Sequence, residues 1–116
     1  GERRSQIENK RMALRRLRLA LATLHREPVP IGEIGSDLWH ARRKGSRLVI
    51  SSRHRDYPAM LAEALDAIAD GKWGTKKASI RLEVSASQLL KLVKEHPPAL
   101  SMWNEQGAAR GLRPLR

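Results

Sequence analysis

Cysteine is absent from this chain, which excludes a disulfide framework, a thiolate zinc site and a cysteine nucleophile, and accords with a reducing compartment. Long apolar runs are missing as well. The longest extend over a few residues, as in Leu19 to Ala22, too short for a membrane span, and no apolar block follows the charged N-terminus to make a secretory signal. No repeat is evident. A glycine-rich phosphate loop is also lacking, since Gly71 and Gly74 around Trp73 do not have the required spacing and read as a turn. Acidic residues are few: 12 Asp and Glu stand against 23 Lys and Arg, a formal net charge of +11 in 116 residues. That balance favours a polyanionic partner. The length allows one domain or two small modules and excludes the large enzyme folds, while 41% apolar residues can build one compact core. These features predict a soluble, cytoplasmic protein.

The charge is unevenly spread. Residues 1–26 hold eight basic and two acidic side chains, whereas residues 57–96 hold six and five, so a large share of the excess lies at one end, as in a nucleic-acid contact. Ser5-Gln6-Ile7-Glu8 has capping-box spacing and predicts a helix from about Ser5, which Pro28 and Pro30 end. Along it Leu14, Leu17, Leu21 and Leu24 share a face that should pack, leaving the stripe Arg11, Arg15 and Arg18 available. Residues 27–55 read as a connector. Ser36-Asp37 can cap a short helix stopped by Gly45, and Arg47 to Ser51 is the one stretch with strand character. A lone short strand must pair outside the chain, fold back on the connector or stay unpaired.

Residues 56–116 read as a helical module. Asp56 and Pro58 start a helix with the apolar face Met60, Leu61, Ala64, Leu65 and Ile68, and Gly71 stops it. Further helices are predicted from Thr75 to Leu82, from Ser85 to Glu95, and after Pro97-Pro98 through Met102 and Trp103 to about Gly107 or Gly111. The predicted fold class is therefore all-α: a long N-terminal basic helix, an irregular connector with at most one short strand, and a small C-terminal helical bundle. No catalytic constellation is found. His25, His40, His54 and His96 match no zinc spacing, and Glu63, Asp66 and Asp70, though on one helix face, should face solvent. No metal or other cofactor is predicted.

The stretch from Ala78 to Leu92 resembles a helix-turn-helix. Small Ser79, apolar Leu82, Val84, Leu89 and Leu92, and a Ser85 cap stand where two helices crossing at a tight turn need them. Glu83 occupies a position where glycine is common, which predicts a looser turn. If the motif reads DNA, its contacts are Arg81, Ser87, Gln88, Lys91 and Lys94. The nearly neutral charge of the surrounding residues favours a structural role instead.

Arg4-Ser5-Gln6, Asn9-Lys10, Ala13-Leu14, Leu17-Arg18 and Leu21 resemble the closing motif of the bacterial release-factor catalytic domain, over about residues 2–24. Asp56-Tyr57-Pro58, the run Val84 to Leu89 and the run Arg110 to Arg116 resemble the C-terminal extension of release-factor-like proteins. The resemblance implies the C-terminal portion of a translation release or ribosome-rescue factor whose parent hydrolyses peptidyl-tRNA through a Gly-Gly-Gln loop. This chain contains no Gly-Gly-Gln. Ribosomal RNA or tRNA is then the expected partner, met by Arg4, Gln6, Asn9, Lys10, Arg11, Arg15 and Arg18, with no catalytic residue in the chain. The competing expectations are a helix-turn-helix DNA-binding regulator and a tether that holds a protein partner through residues 56–116.

Overall fold

A computed structural model describes residues 2–116 and is mainly helical. Its elements are α1 (Glu2–Leu24), α2 (Asp37–Ala41), β1 (Arg43–Lys44), β2 (Arg47–Leu48), α3 (Tyr57–Asp70), α4 (Lys76–Leu82), α5 (Ala86–Lys94) and α6 (Pro97–Ala108). The molecule measures 50 × 31 × 25 Å along its principal axes. None of the helices among the described residues is long and apolar enough to cross a membrane.

Helix α3 is the axis of the core. Pro58 sits in its first turn, and the whole apolar set read from the sequence, Met60, Leu61, Ala64, Leu65 and Ile68, is buried. Around it close Leu82 of α4, Leu89 and Val93 of α5, and Trp103 of α6, each with almost no exposed surface. Three aromatic side chains anchor this core by donating to backbone carbonyls that lie inside it. Trp39 Nε1 donates to Leu82 O at 2.9 Å, Trp103 Nε1 to Trp73 O at 2.8 Å, and the Tyr57 hydroxyl to Leu92 O at 2.6 Å. Burial pushes the Tyr57 hydroxyl far above its ordinary pKa, so it stays a donor.

The turn after α3 is not made by its glycines. Gly71 has φ −84°, while Lys72 and Trp73 take the left-handed values +61° and +68°. Gly71 instead sits close to the next helix: a Cβ there would lie 3.3 Å from Lys77 Cβ, a tight approach that Lys77 would have to yield to by a few tenths of an ångström.

Helix α1 presents a different face from the one its leucines predict. It starts at Glu2, so Ser5 lies within the helix and does not cap it. Its second half runs against α3 through Ala22 and Thr23, with Arg15, Leu19 and Arg26 half-buried beside them. Leu14, Leu17, Leu21 and Leu24 remain 46%, 55%, 55% and 78% exposed. Ties to fixed polar groups decide the rotation. Arg15 donates to the carbonyls of Ser52 and His54, Arg26 faces Asp66 at 3.4 Å, and small Ala22 lets the two helices approach. Burial depresses the Arg26 pKa and raises that of Asp66 despite their pairing, so desolvation outweighs their attraction.

Glu63, Asp66 and Asp70 do not simply face solvent. They line the side of α3 along which the connector runs and hold it there. Glu63 accepts from Ser36 N at 2.5 Å and from Ser36 Oγ at 2.7 Å, Asp66 accepts from Glu27 N at 3.1 Å, and Asp70 accepts from Arg81 at 2.9 Å. Ser36 in turn caps α2, accepting from Trp39 N. The strand segment folds back on the connector, as one of the three options allowed. It forms a two-stranded antiparallel hairpin with Arg43 opposite Leu48 and Lys44 opposite Arg47. Gly45, expected to stop a helix, instead supplies the positive φ of a two-residue hairpin loop at +61°.

Candidate nucleic-acid interface

Helices α4 and α5 meet at a short turn whose geometry follows from one residue. Glu83 adopts φ 59°, ψ 36°, the left-handed conformation that glycine usually fills. This closes α4 tightly: Glu83 N donates to Ile80 O at 3.2 Å and Val84 N to Ser79 O at 3.0 Å. The turn is therefore not looser for lacking glycine. Val84 plugs into the core, and Ser85 starts α5 by accepting from Gln88 N at 3.2 Å. The Glu83 carboxylate points away from the core, 3.6 Å from Arg43 Nη2 and 3.7 Å from His40 Nδ1.

With Leu89, Leu92 and Val93 buried, the opposite side of α5 faces solvent. Ser87, Lys91 and Lys94 are exposed and share that side by helical spacing. Among the described residues, neither lysine makes an ion pair. Ser87 Oγ lies 3.2 Å from Ser85 Oγ. Gln88 is half-turned inward, and its Oε1 accepts from Leu48 N of the hairpin at 3.0 Å. Arg81 does not join this face. Its guanidinium binds Asp70 at 2.9 Å and the carbonyls of Pro30 and Gly32 at 2.5 and 3.0 Å, pinning the connector.

The hairpin was not foreseen as part of a site, yet it abuts the start of α5. Ser85 N donates to Ser46 O at 3.0 Å, so the loop of the hairpin takes an amide that the cap of α5 leaves over. An open groove of about 600 Å³ lies between the two elements, lined by Arg42, Arg47, Gln88, Lys91 and the segment Leu48 to Ser51, with no acidic residue. The near-neutral count for residues 57–96 misled because it omitted this neighbour. The charge beside α5 comes from residues about 40 positions earlier.

The residues assigned to RNA lie elsewhere. Arg4, Gln6, Asn9, Lys10 and Arg11 occupy the exposed first half of α1, Arg18 is exposed further along, and Arg15 is half-buried against Ser52 and His54. None is on α4, α5 or the hairpin.

Comparison with known proteins agrees with the geometry of the C-terminal half. Residues 58–101, from α3 into α6, match the family model described as helix-turn-helix, Psq domain. No curated protein and no solved structure matches the chain. The match covers well under half of the chain, and it points to a DNA-binding module. It overturns the release-factor resemblance, and with it the reading of the chain as a translation termination or ribosome-rescue factor. The ribosome, ribosomal RNA and tRNA as partners of the seven residues on α1 fall with that reading. A short run of residue types on an exposed helix, where few positions are constrained by packing, is a weaker signal than a motif whose buried and capping positions are all filled.

Proposed function

We propose that this protein binds duplex DNA through its helix-turn-helix, with α5 presented to the major groove. The observation that carries this reading is the coincidence of the family match at residues 58–101 with a tight α4–turn–α5 unit whose solvent face holds Ser87, Lys91 and Lys94 free of acidic partners. A helix of this size fits the major groove, where lysine meets phosphate or the acceptor edge of guanine and serine either acceptor or donor groups. Gln88 acts mainly by positioning, since its carbonyl oxygen is engaged by the hairpin. Arg81 holds the connector, so it is not among the DNA contacts. A DNA partner implies a cytoplasmic or a nuclear location, according to where the DNA is kept.

Fluorescence anisotropy with a short mixed-sequence duplex tests the proposal. The wild-type chain should bind, with log affinity falling linearly in log salt by about 0.9 per phosphate neutralised. K91E/K94E should weaken binding by about tenfold or more while keeping the helical circular dichroism, because both side chains are exposed. Absence of binding at low salt, or equal binding by the variant, would refute the assignment of α5.

A further inference from the structure

The groove beside α5 and the hairpin that forms its other wall are not explained by a helix-turn-helix alone. We propose that the β1–β2 hairpin is a second DNA contact, in which Lys44 and Arg47 grip phosphates of the backbone flanking the groove that α5 enters. This inference rests on the DNA reading above and extends it to a part of the chain outside residues 58–101.

The pairing register supplies the first argument. Lys44 and Arg47 are directly opposite each other, so their side chains leave the same face of the hairpin. Like charges directly opposite destabilise a strand pair. Both are exposed, and among the described residues neither has an acidic partner. Arg43, one position before, shows what a structural arginine does in the same hairpin: it turns to the other face and is held by Gly45 O at 2.8 Å, by His40 Nδ1 at 3.3 Å and by Glu83. The two cations left over are suited to an anion that comes from outside the chain.

The second argument is that the hairpin cannot drift from α5. Leu48 N to Gln88 Oε1 and Ser85 N to Ser46 O tie both its outgoing strand and its loop to the first turn of that helix. Trp39, buried in the core shortly before β1, fixes its incoming end. Cations on a rigid frame lose little freedom on binding. Arg47 and Lys91 then line one groove together with Arg42, and no carboxylate lines it. Arg42 is itself held by Asp56 at 3.2 Å, which leaves Arg47 and Lys91 as the open pair. A duplex backbone, with a phosphate every few ångströms, matches cations arranged on both walls of such a groove. Gly45 at the tip takes the positive φ of +61° that a tight two-residue loop needs, and no neighbouring element crowds it, so the tip stands clear of the rest of the fold.

Salt titrations of duplex binding test this with K44Q/R47Q and, as a charge-retaining control, K44R/R47K. The first variant should bind more weakly and its salt slope should be shallower by about 1.8, the value for two lost phosphate contacts. The control should keep the wild-type slope. Unchanged affinity and slope in K44Q/R47Q, with wild-type binding intact, would overturn the hairpin contact and leave the α5 reading standing. Equal losses in both variants would also overturn it, because the effect would then not be one of charge. Failure of the wild-type chain to bind duplex at all would remove both proposals together.

Discussion

Glu83 occupies a backbone conformation that disfavours side chains with a Cβ, at a cost of about 1 kcal/mol for an unbranched residue and more for a β-branched one. Its carboxylate is 58% exposed and 3.6–3.7 Å from Arg43 and His40, so those pairs return at most about 1 kcal/mol. Glu83→Gly should therefore change unfolding free energy by less than about 1 kcal/mol, because relief of strain offsets both the lost pairs and the entropy of glycine. Glu83→Val should cost about 1–2 kcal/mol, since the β-branch adds strain and removes the carboxylate. Urea denaturation of the two variants gives the order; because both lack the carboxylate, a glycine variant less stable than the valine one would show that left-handed backbone strain does not govern this turn. Ser85→Ala should lose about 1 kcal/mol through the cap of α5.

Between elements, Trp39 links the connector to the helix-turn-helix through the core. It is completely buried and donates to Leu82 O, at the end of α4. Trp39→Ala should destabilise the protein by about 3–5 kcal/mol through the cavity it leaves. Trp39→Phe should cost less, about 1–3 kcal/mol, mainly because the Leu82 carbonyl is orphaned inside the core. Since β1 begins soon after α2, the alanine variant should also free the hairpin. Its amides at Leu48 and Val49 should then exchange with solvent much faster than in wild type. Protection of those amides in a folded Trp39→Ala protein would show that the ties to Gln88 and Arg42 suffice on their own.

Across the whole molecule, stability is concentrated away from the N-terminus. The first half of α1 is exposed on all sides, and a helix of that length without packing is marginal in water. Amides of residues 3–13 should exchange quickly, and those of residues 60–69 should exchange near the global unfolding rate. His96 should contribute to the loss of stability as pH falls below neutral. Burial, and secondarily the charge of Arg15, hold its pKa below the ordinary 6.5. The unfolded chain therefore takes up a proton at a higher pH than the folded one. This penalty is absent above about pH 6.5 and grows as pH falls through that value until the lowered folded pKa is passed. Thermal melts should show the midpoint dropping over that range, with the drop reduced in His96→Gln. An equal drop in the variant would assign it to other groups.

Which segments become helices was written in the sequence, because that depends on local rules. Pro58, the apolar set from Met60 to Ile68, the Ser85 cap and Pro97-Pro98 each fix a boundary or a face within a few residues of themselves. The filled helix-turn-helix positions from Ser79 to Leu92 were legible for the same reason, and so were Ser87, Lys91 and Lys94 as the exposed side of α5. What only the tertiary structure decided is which faces meet and which charges lie together. The leucine row of α1 had the better periodicity, yet Arg15, Ala22 and Arg26 dock, because fixed carbonyls and Asp66 on the far side select the rotation. Glu63, Asp66 and Asp70 became ties to the connector, and Arg81 was drawn to Asp70 and away from the exposed side of α5. The basic hairpin joined α5 through Gln88 and Ser85 across about 40 residues of sequence. Charge summed along a segment is a property of the chain, whereas the field a polyanion meets depends on distances through space, which folding alone sets.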